Sequence, residues 1–302
     1  MSILDSRRGN GNGNGGNDDL ASLEAGLDAL ETHVDAGASR WRKVFSATWP
    51  PVLAIALLLA AWELTYRAGV KPPYALPSPA DVGLVLRDQL RDGTLLHAMA
   101  TSLTRGGLGF LAALAIGTPL GLLIARVRPI RRGIGPLVSG LQSLPSVAWV
   151  PAAIIFFGIG DAAIYSVVLL GAIPSIANGM VSGIDQVPPL YERVGRVLGA
   201  RGLSAARHVL LPAALPGYVG GLRQGWAFSW RSLMAAELIV NSPELGQGLG
   251  QLLDAGRTLS DMSLVFAGIL GILVVGIAVE LCVFAPLERR VLRRRGLLIA
   301  RT

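Results

Sequence analysis

Residues 188–216 read PPLYERVGRVLGARGLSAARHVLLPAALP, a polar, arginine-bearing segment that favours helix and lies between strongly apolar blocks. A membrane protein that keeps such a segment between two spans is expected to use it as a docking place for something outside the bilayer. The spacing within the segment is specific, because nine residues separate Gly199 from Val209, and Leu211 and Pro212 follow. The alternative interpretation is an ordinary solvated loop.

The composition of the 302-residue chain is that of a membrane protein. Apolar residues make up 52% of it and gather in blocks long enough to cross a bilayer, which takes about 20 residues per helix. The net charge of +7 flanks these blocks and forms no stripe with aromatic residues, which argues against nucleic acid as a partner. The single cysteine, Cys282, excludes an intrachain disulfide.

Six apolar blocks predict six transmembrane helices, and hence an all-α polytopic membrane protein. The blocks run approximately over 48–67, 106–125, 134–158, 161–182, 216–240 and 262–285. Prolines inside them are tolerated in a bundle, since neighbouring helices satisfy the freed backbone groups. Four glycines predict close approach of helices, with sterically permissive filler as the alternative. They are Gly117, Gly121, Gly171 and Gly179.

Arginine placement orients these spans by the positive-inside rule. Positive residues lie before the first span, after the second, after the fourth and after the sixth. An even number of spans separates these four regions, so all of them fall on the same side of the membrane. They are Arg40, Arg42, Lys43, Arg126, Arg128, Arg131, Arg132, Arg193, Arg196, Arg201, Arg207, Arg289, Arg290, Arg293, Arg294, Arg295 and Arg301. Both termini and the 188–216 segment are therefore predicted to be cytoplasmic.

The segments outside the spans carry weaker signals. The first 20 residues lack the apolar core of a signal peptide, and their Gly-Asn run is typical of disorder. Residues 20–39 could form a short amphipathic helix. The long external segment 72–105 begins with prolines and then predicts an amphipathic helix from Asp81 to Leu90.

No catalytic, cofactor or metal site is predicted. A Walker A loop needs Gly-Lys followed by Ser or Thr, and the only two lysines, Lys43 and Lys71, follow Arg42 and Val70. One cysteine and three histidines in unrelated regions give no zinc spacing. A membrane-embedded hydrolase would need a serine nucleophile and a histidine inside a span, and no predicted span contains a histidine.

The spacing in the 188–216 segment resembles the "EAA" loop of ATP-binding-cassette (ABC) importer permeases. That loop follows Glu-Ala-Ala, three residues, Gly, nine residues, Ile-x-Leu-Pro. The Glu-Ala-Ala positions hold Arg193, Val194 and Gly195 here, and Glu192 is displaced by one. The docking role therefore carries over better than the usual side-chain contacts.

The resemblance extends over residues 48–295 and is carried by several blocks in order. They are LPSPADV, SLTRGGLGFLAALAIGTPLGLLIARV, LQSLPSVAWVPAAIIFFGIGDAAIYSVVLLGAIPSIANGM, WRSLMAAELI and LGQGLGQLL. All are similar to permeases of the nitrate, sulfonate and taurine importer group, and the basic PLERRVLRRRGL near the C-terminus resembles the aliphatic-sulfonate branch.

The resemblance implies a type I ABC importer permease in the bacterial cytoplasmic (inner) membrane. Such a chain is no enzyme itself. It imports a small anionic solute, here an aliphatic sulfonate, by alternating access powered by a separate ATPase subunit. Implied partners are a second copy of the chain, two cytoplasmic ATPases that bind ATP and Mg²⁺, an external solute-binding protein and the lipid bilayer. Alternatives are taurine, nitrate or another small solute, and more remotely a stand-alone secondary transporter, which visible inverted repeats would favour.

Three regions follow from the resemblance: an N-terminal tail over 1–45, the permease domain over 46–288 with a coupling loop at 188–212, and a basic tail over 289–302. In this family a short coupling helix sits in a groove of the ATPase, and residues 190–203 would form it. Gly199 would permit a turn, and Pro212 would end the following helix. The candidate coupling residues are Leu190, Tyr191, Glu192, Arg193, Gly195, Arg196, Gly199, Ala200 and Leu203.

Span five carries candidate residues for the translocation path. At about 100° per residue, one side of it, within about 40° of a line, is formed by Arg223, Ala227, Trp230, Met234, Glu237 and Asn241. Arg231 lies about 80° away. Charges in a span are costly and usually face a watery path or a bundle interior, and a cationic lining suits an anion. Alternatively, Arg223 reaches the cytoplasmic surface and Glu237 pairs with Arg231 or a neighbouring helix.

Span three adds Gln142, Ser143 and Ser146, which flank the break expected at Pro145. Their side chains could line the path. Helix packing through the small hydroxyls is the alternative.

Overall fold

A computed structural model of the protein describes residues 40–72, 74–240 and 246–295. Most of the predicted N-terminal tail, Asn241 and the end of the basic tail lie outside this part of the chain. All regular structure in it is helical, which confirms the predicted all-α class. The chain divides into two compact units, residues 1–60 with 300–302 and residues 61–299.

Twelve α-helices occur in the described residues. They are α1 (Arg40–Arg67), α2 (Pro79–Arg91), α3 (Thr94–Arg126), α4 (Arg128–Leu141), α5 (Val150–Phe157), α6 (Asp161–Asp185), α7 (Pro189–Val197), α8 (Gly202–Ala205), α9 (Leu211–Ile239), α10 (Leu249–Thr258), α11 (Met262–Val279) and α12 (Ala285–Arg294). A 3₁₀ turn at Ser146–Trp149 precedes α5, and π-helical turns at Ala206–Leu210 and Glu280–Phe284 join α8 to α9 and α11 to α12.

Within the first unit, the described part of α1 exposes large apolar side chains such as Val52, Ile55 and Leu58. Within the second unit, the end of α1 is anchored by Trp62. Its ring stacks on Phe266 of α11 at 5.0 Å between centroids, and its Nε1 donates to the Pro77 carbonyl at 3.1 Å.

Helix α2 matches the amphipathic helix predicted from Asp81 to Leu90. It begins with a capping box, in which Ser78 Oγ accepts from the Asp81 N–H at 3.0 Å and the Asp81 carboxylate accepts from the Ser78 N–H at 3.4 Å. These bonds satisfy backbone donors that the first helical turn leaves open. Pro79 follows the cap, at a position where its missing N–H costs nothing.

Four helices in the described residues are long and apolar enough to cross a membrane, and a fifth span results if the bent pair of α4 and Ser146–Phe157 counts as one. The predicted count of six is therefore not confirmed. The predicted third span is not a straight helix, because the direction of the chain bends by 102° between its two halves, around residues 142–145. Helix α9 covers the predicted fifth span. It is not among the helices that are apolar enough, because it contains the charged residues Arg223, Arg231 and Glu237.

Helix α6 is the centre of the second unit and packs along both α3 and α9. Its buried side chains include Ile164, Val168, Ile176 and Met180. The close approach predicted at its glycine contacts is confirmed at all four positions: a Cβ added to Gly117 would lie 3.0 Å from Ile176 Cβ, and one added to Gly121 would lie 2.5 Å from the Ala177 carbonyl oxygen. A Cβ on Gly171 would overlap Ser232 of α9, and one on Gly179 would overlap Gly221.

We expect Gly179→Val to destabilise the protein, since α6 and α9 touch backbone to backbone there and neither can yield without shifting the helix. Overpacking of this kind costs about 1–3 kcal/mol. The thermal unfolding midpoint of the purified protein in detergent should fall by several degrees. Gly107→Val is the matched control, because a Cβ added to that helical glycine meets nothing within 4 Å. Equal midpoints for the two variants would contradict the close contact.

Candidate functional site

Helix α7 occupies the predicted coupling loop, but it is shorter than the expected 190–203. It ends at Val197, and Gly199 then adopts a left-handed backbone with φ of +84°. The Ala200 N–H donates to the Gly195 carbonyl at 2.9 Å across this turn. The turn predicted at Gly199 is thus confirmed, since a left-handed residue after a helix is commonly glycine.

The expectation that Pro212 ends a helix is wrong. Pro212 lies in the first turn of α9, directly after the π-helical turn Ala206–Leu210. The chain is continuously helical from Gly202 to Ile239. Proline has no N–H, and near the point where the α-helical hydrogen-bond ladder restarts its missing donor costs little.

One side of α7 packs on the protein and another presents apolar side chains to the outside. Gly195 is buried against Val209, and a Cβ added to it would lie 2.9 Å from Val209 Cγ2. We call the exposed set the α7 apolar face. It consists of Leu190, Tyr191, Val194, Val197 and Leu198, of which Val197 is 85% and Leu198 80% exposed. So many open apolar groups on a short helix indicate a contact surface.

The remaining candidate coupling residues surround this face. Glu192, Arg193 and Arg196 are exposed, and Ala200 is half-buried after the turn. Leu203 falls in α8.

The candidate path residues of α9 do not form one uniform lining. Arg231 is exposed, with its Nε donating to the Ala227 carbonyl at 3.1 Å and its guanidinium carbon 4.6 Å from the centre of the Phe228 ring. Trp230 is buried and stacks on Trp226. Glu237 is buried as well, so the predicted line of residues divides between open and enclosed positions.

Arg223 lies near the middle of α9 and is about half exposed. Its Nη2 is 2.6 Å from Glu280 Oε1, and its Nη1 is 3.7 Å from Glu288 Oε2. These pairs tie α9 to the α11–α12 junction.

The three candidates beside the predicted break are positioned by hydrogen bonds. Ser143 Oγ donates to the Gly140 carbonyl at 2.7 Å, and Ser232 Oγ donates to Ser146 Oγ at 2.8 Å. Both serines thus use their hydroxyls within the fold, as the packing alternative expected. Gln142 Oε1 accepts from Asn178 Nδ2 at 2.9 Å and borders a polar cavity between α6 and α9.

A buried charge cluster lies at the end of the bundle opposite to α7. Arg105 of α3 is 0% exposed. Its Nη2 lies 3.0 Å from Asp161 Oδ1 at the start of α6, and its Nη1 lies 3.2 Å from Glu237 Oε1 near the end of α9. The suggested Arg231–Glu237 pair is therefore not formed, and Glu237 pairs with a neighbouring helix instead.

The segment before α10 completes this cluster through its backbone. The Gly246 carbonyl accepts from Arg105 Nη2 at 3.1 Å, and the Gly250 N–H donates to Glu237 Oε2 at 3.1 Å. Ser102 Oγ donates to Glu237 Oε2 at 2.7 Å and accepts from the Leu249 N–H at 2.8 Å. The Glu237 carboxylate thus sits at the N-terminus of α10, where the helix dipole favours negative charge.

Sequence reasoning missed Arg105 and Asp161. A signal for them exists: Arg105 stands directly before one apolar block and Asp161 at the start of another, and charges in such blocks need partners. The glycines of the 246–250 segment are a second signal, because a Cβ on Gly248 would overlap the Glu237 carboxylate. Among the described residues, no cluster of His, Cys, Asp and Glu could hold a metal ion.

Comparison with known proteins identifies the family. Residues 117–293 match the model of the family described as the binding-protein-dependent transport system inner membrane component. The chain belongs to this family.

Its relatives include proteins named as transport permeases. The chain is 30% identical over 241 residues to the taurine transport system permease protein TauC of Escherichia coli, covering 78% of this chain and 86% of TauC. It is 30% identical over 245 residues to the putative aliphatic sulfonates transport permease protein SsuC of Bacillus subtilis, covering 81% of this chain and 87% of SsuC. The resemblance to this permease group is thereby confirmed.

A solved structure shares the fold. The chain superposes on a chain of the inward-facing MetNI methionine ABC transporter with a TM-score of 0.57 and 21% identity, covering 65% of this chain and 95% of that one. The type I importer permease fold expected from the sequence is confirmed by this match.

The charge cluster predicts a graded response to substitution. Arg105→Met leaves two buried carboxylates without their cation and should cost about 3–5 kcal/mol. Glu237→Gln leaves the Arg105–Asp161 pair intact and should cost clearly less. Thermal unfolding of the purified protein and its level in the membrane measure both effects.

Arg131→Met serves as the control for the cluster, since Arg131 pairs with Asp185 of α6 at 2.6 Å on the surface. An exposed pair contributes about 0–1 kcal/mol. If Arg105→Met and Arg131→Met lowered the stability of the protein by the same amount, the buried cluster around Arg105 would contribute no more than a surface ion pair.

Proposed function

We propose that the chain is the permease subunit of an ABC importer that brings a small anionic solute, preferably an aliphatic sulfonate, into the cytoplasm. Two copies enclose one path, two ATPase subunits dock on the α7 apolar faces, and an external solute-binding protein delivers the substrate. ATP and Mg²⁺ bind to the ATPases, and this chain holds no cofactor. The observation that carries the proposal is the exposed apolar face of α7 on a member of an importer permease family.

The connections of α7 support its role as the coupling helix. On one side it follows α6 after three residues, and on the other it leads through α8 into α9. These are the two helices that pack most extensively on each other, so a displacement of α7 acts on both. Arg131 donates to both oxygens of Asp185 at 2.9 and 2.6 Å, which extends the linkage from the end of α6 to α4. ATP-driven movement of α7 would thereby reach the helices around the path in an alternating-access cycle.

The proposed membrane arrangement has six spans with both termini in the cytoplasm of a bacterium. Helix α9 has 29 residues, and at about 1.5 Å per residue it is longer than the roughly 30 Å of hydrocarbon. It can cross despite its charged residues, because Glu237 is neutralised inside the bundle and Arg223 is paired with Glu280. The arginine-rich α7 region and α12 then lie together on the cytoplasmic side.

An anionic substrate is supported by the exposed Arg231 on α9 and by the relatives, whose names refer to taurine and aliphatic sulfonates. Taurine, nitrate or another small solute is the alternative within the same system. A stand-alone secondary transporter is a more remote alternative, which would need no ATPase.

Reconstituted uptake tests the function. Proteoliposomes containing the chain with its cognate ATPase, ATP in the lumen and the binding protein outside should accumulate radiolabelled ethanesulfonate. Uptake should stop when ATP is replaced by a non-hydrolysable analogue, and competition by unlabelled taurine or nitrate ranks the alternative substrates. Gradient-driven uptake by the chain alone would establish the secondary transporter instead.

Substitution on the α7 apolar face tests the docking role. Val197→Glu or Leu198→Glu places a charge in the contact and should lower ATPase co-purification roughly ten-fold or more, since central apolar contacts dominate interfaces. The fold should persist, because both side chains are exposed in the protomer. Leu259→Glu is the control, a leucine between α10 and α11 that is also largely exposed, at 72%. Unchanged ATPase recovery for Val197→Glu and Leu198→Glu would place the docking surface elsewhere.

A further inference from the structure

A polar cavity of about 330 Å³ lies between α6, α9 and the end of α4. Four glycines leave the space open. They are Gly179, Gly217, Gly220 and Gly221. The first and last of these bring the two helices into contact, whereas a Cβ added to Gly220 would meet no atom within 4 Å. The cavity therefore exists because the residues around the helix crossing have no side chains.

All functional groups that line this cavity are neutral. They are the amides of Gln142, Asn178 and Gln224 and the hydroxyls of Ser175 and Ser182. Ser175 is only 2% exposed, and its Oγ has no hydrogen-bond partner within the described residues. A buried hydroxyl without a partner is uncommon, and this one belongs to a residue in the wall of the cavity.

A chain of hydrogen bonds orients the amide of Gln142. Ser139 Oγ donates to Asn178 Oδ1 at 3.4 Å, and Asn178 Nδ2 donates to Gln142 Oε1 at 2.9 Å. The Gln142 carbonyl is thus used, and its NH₂ group remains as a donor. Ser182 Oγ accepts from Gln186 Nε2 at 3.3 Å, which leaves the Ser182 O–H to donate. The cavity therefore presents hydrogen-bond donors to its interior.

We propose that this cavity is a binding station for an oxyanion on the translocation path, a proposal that rests on the importer function. The oxygen atoms of a sulfonate or a similar anion only accept hydrogen bonds, and amide N–H and hydroxyl O–H groups supply donors without a competing carboxylate among the lining residues. Neutral donors hold an anion less tightly than arginine does. A transport path needs that weakness, because the substrate must leave as readily as it enters.

Chemical labelling tests the anion preference independently of transport. Ser182→Cys is introduced into a Cys282→Ala background, and the purified permease–ATPase complex is treated with an anionic reagent, sulfonatoethyl methanethiosulfonate, or a cationic one, trimethylammonioethyl methanethiosulfonate. Relative to their rates with 2-mercaptoethanol, the anionic reagent should be favoured about three- to ten-fold. Adding Gln142→Met and Gln224→Met should remove the preference, and Gln224→Glu should reverse it.

Two labelling results would overturn the proposal. One is a ratio of anionic to cationic labelling rates no greater than the ratio measured with 2-mercaptoethanol, or a higher ratio that persists when Gln142→Met and Gln224→Met are added. The other is no reaction with either reagent, which would show a cavity closed to solutes or filled by the second copy.

Transport variants test the same cavity during import. Gly220→Leu adds a large side chain at the cavity wall, at a position where a Cβ meets no atom within 4 Å. With normal membrane level and ATPase recovery it should lower ethanesulfonate uptake about ten-fold or more. Gly107→Leu, at a helical glycine where an added Cβ also meets no atom within 4 Å, is the control expected to transport normally. If Gly220→Leu fails to assemble, Gln142→Met with Gln224→Met gives the same test with nearly unchanged shape.

The uptake outcomes separate this proposal from the importer function. ATP-driven anion uptake that is equally fast in the unmodified complex and in the assembled cavity variants overturns the cavity proposal and leaves the importer intact. Absence of ATP-driven uptake in the unmodified complex overturns the importer function, and the path role of the cavity with it.

Discussion

The burial of Arg105 is the constraint on which the rest of the bundle depends. A guanidinium with no exposure to solvent in an apolar bundle must be neutralised, and its two carboxylate partners come from α6 and α9. One side chain therefore fixes the register and rotation of three helices at the same depth. The backbone of the 246–250 segment adds further bonds, so that α10 is held to the same point.

The opposite end of the bundle is held in a different way. Helix α7 is a short element between α6 and α9, with a buried glycine contact to Val209 on one side and open apolar groups on another. The surface pair of Arg131 and Asp185 is exposed and screened, and it contributes little to stability. In the proposed importer, this bundle would be held by buried charge at one end and would receive the movement of the ATPase at the apolar face of α7 at the other.

Between these ends, glycines allow α6 and α9 to touch along their backbones. In the proposed transport cycle, this close contact would transmit movement between the two helices, since protein interiors are hardly compressible. The same glycines leave space beside the contact, and the polar side chains of Gln142 and Asn178 border that space. Tight packing and an open polar cavity thus arise from one feature of the sequence, small residues at the crossing.

Much of the fold was predictable because its signals are local. The apolar blocks that become α1, α3, α6 and α11 are long enough to identify by composition, and the spacing around Gly199 located the segment proposed to dock on the ATPase. The turn at Gly199 follows from the ability of glycine to adopt positive φ. Pro212 was misjudged, because whether proline ends or begins a helix depends on the hydrogen-bond ladder before it, here a π-helical turn.

The sequence by itself determined the membrane class, the family and the position of the surface that α7 presents, since each of these depends on composition or on spacing along the chain. Only the tertiary structure decided the partner of Glu237, the bend in the predicted third span and the cavity beside Gly220. Glu237 lies 132 residues from Arg105 in the chain, and helical periodicity gives the side of a helix on which a residue lies but not the helix that faces it. The rotation and axial shift of one packed helix relative to another are set by the contacts of many side chains at once. No short stretch of sequence contains that information.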